Sequence, residues 1–225
     1  MRVDLSQPIL DRNERFAAAN RALFDEHQVF VLDVLASPGA GKTSTILATI
    51  AALRDRYRIA VIEGDIASDI DAQRIKAQGV PAVQINTGGA CHLESDMIRR
   101  AVDTLEIADI DLLIVENVGN LVCPTDFDLG EHAKVMILSV PEGHDKPYKY
   151  PNIFARAEAI VLNKYDTLPV FDFDEAEFRE VVHRLNPRVP VFPLSATKGQ
   201  GVDAWAEWLI GRIESQWAVR RPQGD

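Results

Sequence analysis

The chain has 225 residues, 47% of them hydrophobic and 26% charged, which is typical of a globular protein with room for one α/β domain. Its formal net charge of −10 argues against a general nucleic-acid-binding protein, and no apolar run approaches the roughly 20 residues that span a bilayer. The N-terminus lacks the basic start and apolar stretch of a secretory signal. We therefore expect a cytoplasmic protein with neither nucleic acid nor a membrane as partner.

Helix and strand patterns alternate along the chain, beginning with a predicted helix at 11–26. Short apolar runs typical of strands follow at 29–35, 58–62, 81–85, 111–115, 135–140, 159–162 and 189–192. Helix-like stretches lie at 42–55, 69–78, 93–107, 174–185 and 201–215. This alternation predicts an α/β fold with a mainly parallel sheet of about seven strands flanked by helices. We expect one domain over residues 1–215 and a frayed tail over 216–225.

The first strand pattern leads into the stretch ASPGAGKT, which matches a phosphate-binding loop except that Ala36 replaces the first glycine. Gly39 and Gly41 let the backbone turn its N–H groups toward phosphates, Lys42 reaches the terminal phosphate oxygens, and Thr43 offers a hydroxyl to Mg²⁺. A methyl group on Ala36 is tolerated there at negative φ. The predicted phosphate-binding residues are Gly39, Ala40, Gly41, Lys42, Thr43 and Ser44. Together these features predict a P-loop NTPase.

Carboxylates follow the second and fourth strands of the predicted core. Asp65 comes just after the second strand, near Glu63, Asp69 and Asp71, and Glu116 ends the very apolar strand DLLIVE. Carboxylates at these strand ends can hold Mg²⁺ and position water. We predict Lys42, Thr43, Asp65 and Glu116 as the catalytic set, of which the last three serve Mg²⁺. For Asp69 and Asp71 a solvated loop position is an equal alternative.

Asp33 interrupts the first apolar strand. Either it lies near the end of the strand and faces the site, or it meets a polar partner elsewhere. The sequence leaves both alternatives open.

The motif NKYD at 163–166 ends a later apolar strand and indicates which nucleotide base the protein binds. The Asp166 carboxylate can accept hydrogen bonds from N1–H and the 2-amino group of guanine, a pair of donors that adenine lacks. The Lys164 stem can lie along the base, and Asn163 completes the motif. Ser195 and Ala196 form a second loop that can meet guanine O6. We therefore predict a GTPase that binds GTP and GDP with Mg²⁺.

The two cysteines accompany these loops. Cys91 lies beside His92 before a predicted helix, and Cys123 lies in the loop after Glu116. Two thiolates and an imidazole suit Zn²⁺ or Ni²⁺, and three ligands leave room for a fourth. Two inert thiols and a surface histidine are the alternative. The placement of Cys91, His92 and Cys123 in the nucleotide loops favours a metal site. Asp96 is a weaker candidate for a further ligand.

These motifs together resemble the HypB family of nickel-insertion GTPases in hydrogenase maturation. The resemblance runs in order through ASPGAGKT (36–43), EGDIASDID (63–71), NTGGACHLE (86–94), ENVGNLVCP (116–124), DKPYKYP (145–151) and NKYD (163–166). The Cys-His pair and ENVGNLVCP are its specific parts. This chain departs from the family's T-G-K-x-C-H, because Gly89 and Ala90 precede Cys91.

The resemblance implies a slow, dimerising GTPase of the SIMIBI class that delivers nickel to the large subunit of nickel–iron hydrogenase. It also implies a zinc-binding partner similar to HypA and a homodimer promoted by GTP or metal, with Ni²⁺ or Zn²⁺ on Cys91, His92 and Cys123 at the dimer interface. Two alternatives remain: a UreG-like accessory GTPase for urease, and a non-catalytic scaffold that binds GTP and buffers metal.

Overall fold

The computed structural model describes residues 6–65 and 70–218, which form one seven-stranded sheet with helices on both faces. The strands are β1 (Phe30–Ala36), β2 (Ile59–Asp65), β3 (Ala82–Asn86), β4 (Leu112–Glu116), β5 (Ala133–Ser139), β6 (Ala159–Asn163) and β7 (Val191–Pro193). The helices are α1 (Ser6–His27), α2 (Lys42–Leu53), α3 (Ile70–Lys76), α4 (Ser95–Val102), α5 (Lys146–Lys149), α6 (Pro151–Arg156), α7 (Glu175–Leu185) and α8 (Val202–Ala218). Within the described ranges, no helix is both long and apolar enough to cross a bilayer.

The sheet has the order β3-β2-β4-β1-β5-β6-β7, and every neighbouring pair is parallel. The predicted parallel sheet of seven strands is thereby confirmed. Because all strands run the same way, their carboxyl ends meet at one edge, where open α/β sheets bind ligands. The P-loop after β1 and the loops after β2, β4 and β6 therefore lie at the same edge.

Helices bury both faces of the sheet, which explains why its strands are almost wholly apolar. Neighbouring residues of β1 point to opposite faces, so Leu32 and Val34 belong to one cluster and Val31 to another. The first cluster contains side chains from α2 and α8: Ile46, Ile50, Leu53, Trp205, Leu209 and Ile213. The opposite face is covered by α1, α4, α6 and α7, through Phe24, Ile98, Phe154 and Phe178.

Several predicted helix boundaries differ from the observed ones: α1, for example, begins at Ser6 and not at 11, and α5 and α6 have no counterpart among the predicted helices. The helix expected over 93–107 runs only from Ser95 to Val102. Glu94, which precedes it, is extended at φ −111°, and the Leu93 N–H donates to the Asn117 side chain. The last helix continues to Ala218, three residues into the expected tail. Residues 219–225 and Asp69 lie outside the described residues.

Trp205 offers a test of the core between α2 and α8. Its ring is 2% exposed, and its indole N–H donates to Thr49 Oγ1 at 2.9 Å. We expect Trp205→Ala to lower the free energy of unfolding by about 3–5 kcal/mol, because a large cavity is left behind and the Thr49 hydroxyl keeps only its hydrogen bond to the Thr45 carbonyl. Urea unfolding measures this, with Trp208→Ala as control. Trp208 stacks on Trp205 but is only partly buried, so an equal loss in both variants would contradict the expectation.

Candidate functional site

The P-loop joins β1 to α2 as predicted. Ala36 is the last residue of β1, and the positive φ values fall on Gly39 (77°) and Gly41 (96°). A side chain at Gly41 is excluded for two reasons: the backbone φ is positive, and a Cβ would lie 2.4 Å from Asn163 Nδ2. The loop therefore needs glycine where the chain turns, and it tolerates alanine where the strand is still extended.

The magnesium ligands predicted from sequence converge behind this loop. Thr43 Oγ1 donates to Glu116 Oε1 at 3.0 Å. A cavity of about 300 Å³ opens beside this pair, and its lining includes Lys42, Asp65, Glu116 and Gly119. Asp71, which the sequence left undecided, also lines the cavity and pairs with Arg74 at 3.0 Å.

Glu63 lines the same cavity, although the sequence prediction did not select it as a site residue. Glu63 lies directly opposite Glu116 in the pairing of β2 with β4, and both side chains are almost fully buried. A charged residue inside an apolar strand was the available signal. Its register opposite a second carboxylate became visible only in the folded sheet.

The two buried carboxylates are electrostatically unsatisfied. Burial raises the pKa of Glu116 to about 7, against the lowering effect of Lys42. Burial and then the Glu116 charge raise the pKa of Glu63 to about 8. One oxygen of each, Oε2, has no hydrogen-bond partner among the described residues. Such a pair, beside a threonine hydroxyl, fits a hard divalent cation with oxygen ligands.

Two of the predicted guanine-binding residues form hydrogen bonds with the backbone of the P-loop. Asn163 Nδ2 donates to the Ala40 carbonyl at 2.9 Å, and Lys164 Nζ donates to the Gly39 carbonyl at 2.7 Å. Lys164 adopts a left-handed backbone at φ 53°. The end of β6 and the P-loop are thus one connected unit.

Asp166 is held by the loop after β7. Its Oδ1 accepts from Ser195 Oγ at 2.7 Å, and its Oδ2 lies 2.9 Å from Lys198 Nζ. These two contacts lower the pKa of Asp166. The Ala196 N–H donates to Asn163 Oδ1 at 3.3 Å. The sequence prediction missed Lys198, which follows Ser195 and Ala196 in the same loop.

Cys91, His92 and Cys123 form a compact cluster. One ligand atom from each lies within 4.8 Å of the others. The His92 ring packs on Phe127 with centroids 3.9 Å apart, and burial lowers the pKa of His92, so the imidazole is neutral as a metal ligand must be. The cluster fits a thiophilic ion such as Zn²⁺ or Ni²⁺. Asp96 instead pairs with Arg12 and Arg100, both at 3.2 Å.

The buried carboxylates give a pH-dependent prediction. The pKa of Glu63 is raised from its ordinary value of 4.5 to about 8 in the folded chain. The folded chain therefore binds more protons than the unfolded chain between these pH values, and the free energy of unfolding falls as pH rises through them. We expect Glu63→Gln to stabilise the magnesium-free, nucleotide-free protein at pH 8.5 by at least about 1 kcal/mol more than at pH 5.5. Urea unfolding at both pH values measures this. Glu207→Gln, at an exposed position on α8, is the control, and an advantage independent of pH would refute the assignment.

The sequence model of the CobW/HypB/UreG nucleotide-binding domain matches residues 30–193. The hydrogenase maturation factor HypB of Azotobacter chroococcum is 51% identical over 92% of this chain and 68% of its own length. A crystal structure of HypB from Helicobacter pylori in complex with nickel superposes with a TM-score of 0.87 at 36% identity, covering 95% of this chain and 99% of that one. HypB from Archaeoglobus fulgidus gives 0.85 at 35% identity, with 91% and 100% covered. The chain therefore belongs to the CobW/HypB/UreG family, within which it is a member of the HypB group.

Proposed function

We propose that this protein is a GTP-hydrolysing metallochaperone that binds Ni²⁺ or Zn²⁺ and supports nickel insertion into nickel–iron hydrogenase. The observation that carries the proposal is the cluster of Cys91, His92 and Cys123 beside the nucleotide loops. The names of its relatives support a role in hydrogenase maturation. The nickel complex of the Helicobacter pylori protein supports nickel as the bound metal.

In this proposal the nucleotide site works through electrostatic positioning, as in other P-loop enzymes. The N–H groups of the P-loop and Lys42 hold the phosphates. Thr43, Asp65 and Glu116 hold Mg²⁺, which supplies positive charge to the phosphates when bound. Asn163, Lys164 and Asp166 select guanine, and Ser195 and Ala196 close over its O6 edge.

One short segment connects this site to the metal ligands. It leaves β4 at Glu116, passes Gly119 in the cavity wall and reaches Cys123. Gly119 lies against the P-loop so closely that a Cβ would be 3.0 Å from Pro38. A terminal phosphate that moves this segment also moves a sulfur ligand. Nucleotide state and metal affinity are thereby linked, provided that the two states bind metal differently.

Dimerisation completes the proposed site. Cys91 is exposed, and Val122, next to Cys123, is 59% exposed. Three ligands from one chain leave a coordination position open. A second copy of the chain can fill it, so we propose a homodimer promoted by GTP or metal. A HypA-like zinc protein and the large subunit of the hydrogenase are the proposed partners in nickel transfer.

Base selection can be tested at Asp166. Asp166→Asn removes the acceptor of two guanine N–H groups, so we expect GTP affinity to fall at least about tenfold. Xanthosine triphosphate, which presents an oxygen in place of the 2-amino group, should lose less affinity or gain some. Titration calorimetry with both nucleotides measures this. Asp172→Asn, at an exposed position nearby, is the control, and equal losses for both nucleotides would contradict the role of Asp166.

Metal coupling can be tested by the affinity for Ni²⁺ in the presence of GDP and of a non-hydrolysable GTP analogue. We expect different affinities in the wild type, no difference in Lys42→Ala, and a loss of at least about tenfold in Cys123→Ala in both states. Competition with a chromophoric chelator measures each value. Identical wild-type affinities, with GTP still bound, would favour a metal-buffering scaffold over a GTP-driven chaperone.

A further inference from the structure

We infer that a buried relay of Asn117, Asp33 and Lys134 positions both halves of the Cys91–His92–Cys123 cluster from beneath. Asp33 lies on β1 and joins the other two side chains, Asn117 after β4 and Lys134 on β5. The inference rests on the proposed function only for the identity of the ion. The placement of the two thiols can be measured without any metal.

The first arm of the relay holds the segment of His92. Asn117 follows Glu116 directly and is 1% exposed. Its Oδ1 accepts from the N–H of Leu93 at 3.2 Å and from the N–H of Val118 at 3.0 Å. One amide oxygen therefore ties the residue after His92 to the strand end that carries Glu116.

The second arm holds the segment of Cys123. Lys134 lies on β5, and its Nζ donates to the Phe127 carbonyl at 2.8 Å and lies 3.5 Å from the Pro124 carbonyl. Pro124 follows Cys123 directly, and Phe127 carries the ring on which His92 packs. One ammonium group thus fixes the backbone around the second thiol and the aromatic support of the imidazole.

Asp33 joins the two arms. Its Oδ1 accepts from Asn117 Nδ2 at 3.1 Å, and its Oδ2 lies 3.7 Å from Lys134 Nζ. The carboxylate is fully buried, so its charge needs these partners. Asp33 sits on the central strand, between the strands that bear Glu116 and Lys134. A rigid strand is a more exact support for a ligand site than a loop.

Glu131 completes the neighbourhood of Lys134. Its Oε1 lies 3.2 Å from Lys134 Nζ, and its Oε2 accepts from the Leu129 N–H at 2.7 Å. With two carboxylates around it, Lys134 is held as a cation, and its pKa is raised by the charges of Asp33 and Glu131 although burial opposes this. As a cation, Lys134 donates hydrogen bonds to the carbonyls of the segment that follows Cys123.

A competing support exists at the surface. Asn120 Nδ2 donates to the Cys91 carbonyl at 3.1 Å, and its Oδ1 accepts from the Val122 N–H at 2.9 Å. If this exposed clasp alone positioned the thiols, changes to the buried relay would leave their separation unchanged. The two supports therefore predict different results for substitutions at Asp33 and Lys134.

The test uses the metal-free full chain, whose two cysteines are Cys91 and Cys123. Dibromobimane fluoresces once both its arms have reacted with thiols, so the rate of cross-linking within a monomer reports how closely the thiols are held. We expect Asp33→Asn and Lys134→Met each to slow it at least about tenfold, because a small displacement strongly reduces the rate of an intramolecular reaction. Lys134→Met keeps the length of the stem, and it decides the test if Asp33→Asn does not fold.

Thr49→Val is the matched control. It deletes a buried hydroxyl that accepts from the Trp205 indole, on the opposite face of the sheet, so it should leave the cross-linking rate within about twofold of wild type while lowering stability. Wild-type rates in both relay variants would overturn the inference.

A second measurement separates the relay from the proposed function. In wild type loaded with GDP, Ni²⁺ should give a thiolate charge-transfer band, and the relay variants should bind Ni²⁺ about 10- to 100-fold more weakly with an altered band. Slowed cross-linking in the variants without any Ni²⁺ binding by the wild type would uphold the relay and refute the nickel function. Unaltered Ni²⁺ binding in the variants would overturn the relay and leave the nickel function intact.

Discussion

The parallel direction of all seven strands is the constraint on which the rest of the structure depends. It brings the P-loop, the buried carboxylates, the NKYD motif and both cysteine segments to one edge, although they are far apart in sequence. Hydrogen bonds then lock the loops to one another. The contacts of Asn163 and Lys164 with the P-loop carbonyls show this most directly, because they join β6 to the loop after β1.

The nucleotide pocket brings together two carboxyl groups whose ionised form is disfavoured by burial. Glu63 and Glu116 face each other on neighbouring central strands, and burial raises the pKa of both. Such a pocket is unfavourable when empty and becomes favourable with a divalent cation and a phosphate chain. Binding energy is thus available to order the loops around the nucleotide. The buried carboxylates therefore lower the stability of the empty protein, and ligand binding restores it.

The cluster of Cys91, His92 and Cys123 differs from this pocket, since hydrogen bonds from two directions hold the chain segments that carry its ligands. Asn117 links it to the strand of Glu116, and Lys134 links it to β5. The helix α4 starts at Ser95, two residues later than its sequence pattern indicates, and the Leu93 N–H before it donates to the Asn117 side chain.

The sequence by itself determined the fold class, the seven strands and the P-loop, because these depend on local patterns of apolar residues, glycines and charges, and it predicts a guanine-binding role for NKYD. It also singled out the Cys-His pair and Cys123. Only the tertiary structure decided that Glu63 faces the cavity, that Lys198 pairs with Asp166 and that Asp33 joins Asn117 to Lys134. These contacts are set by strand register and by loops that meet in space. Their partners are distant in the chain, so no local pattern records them.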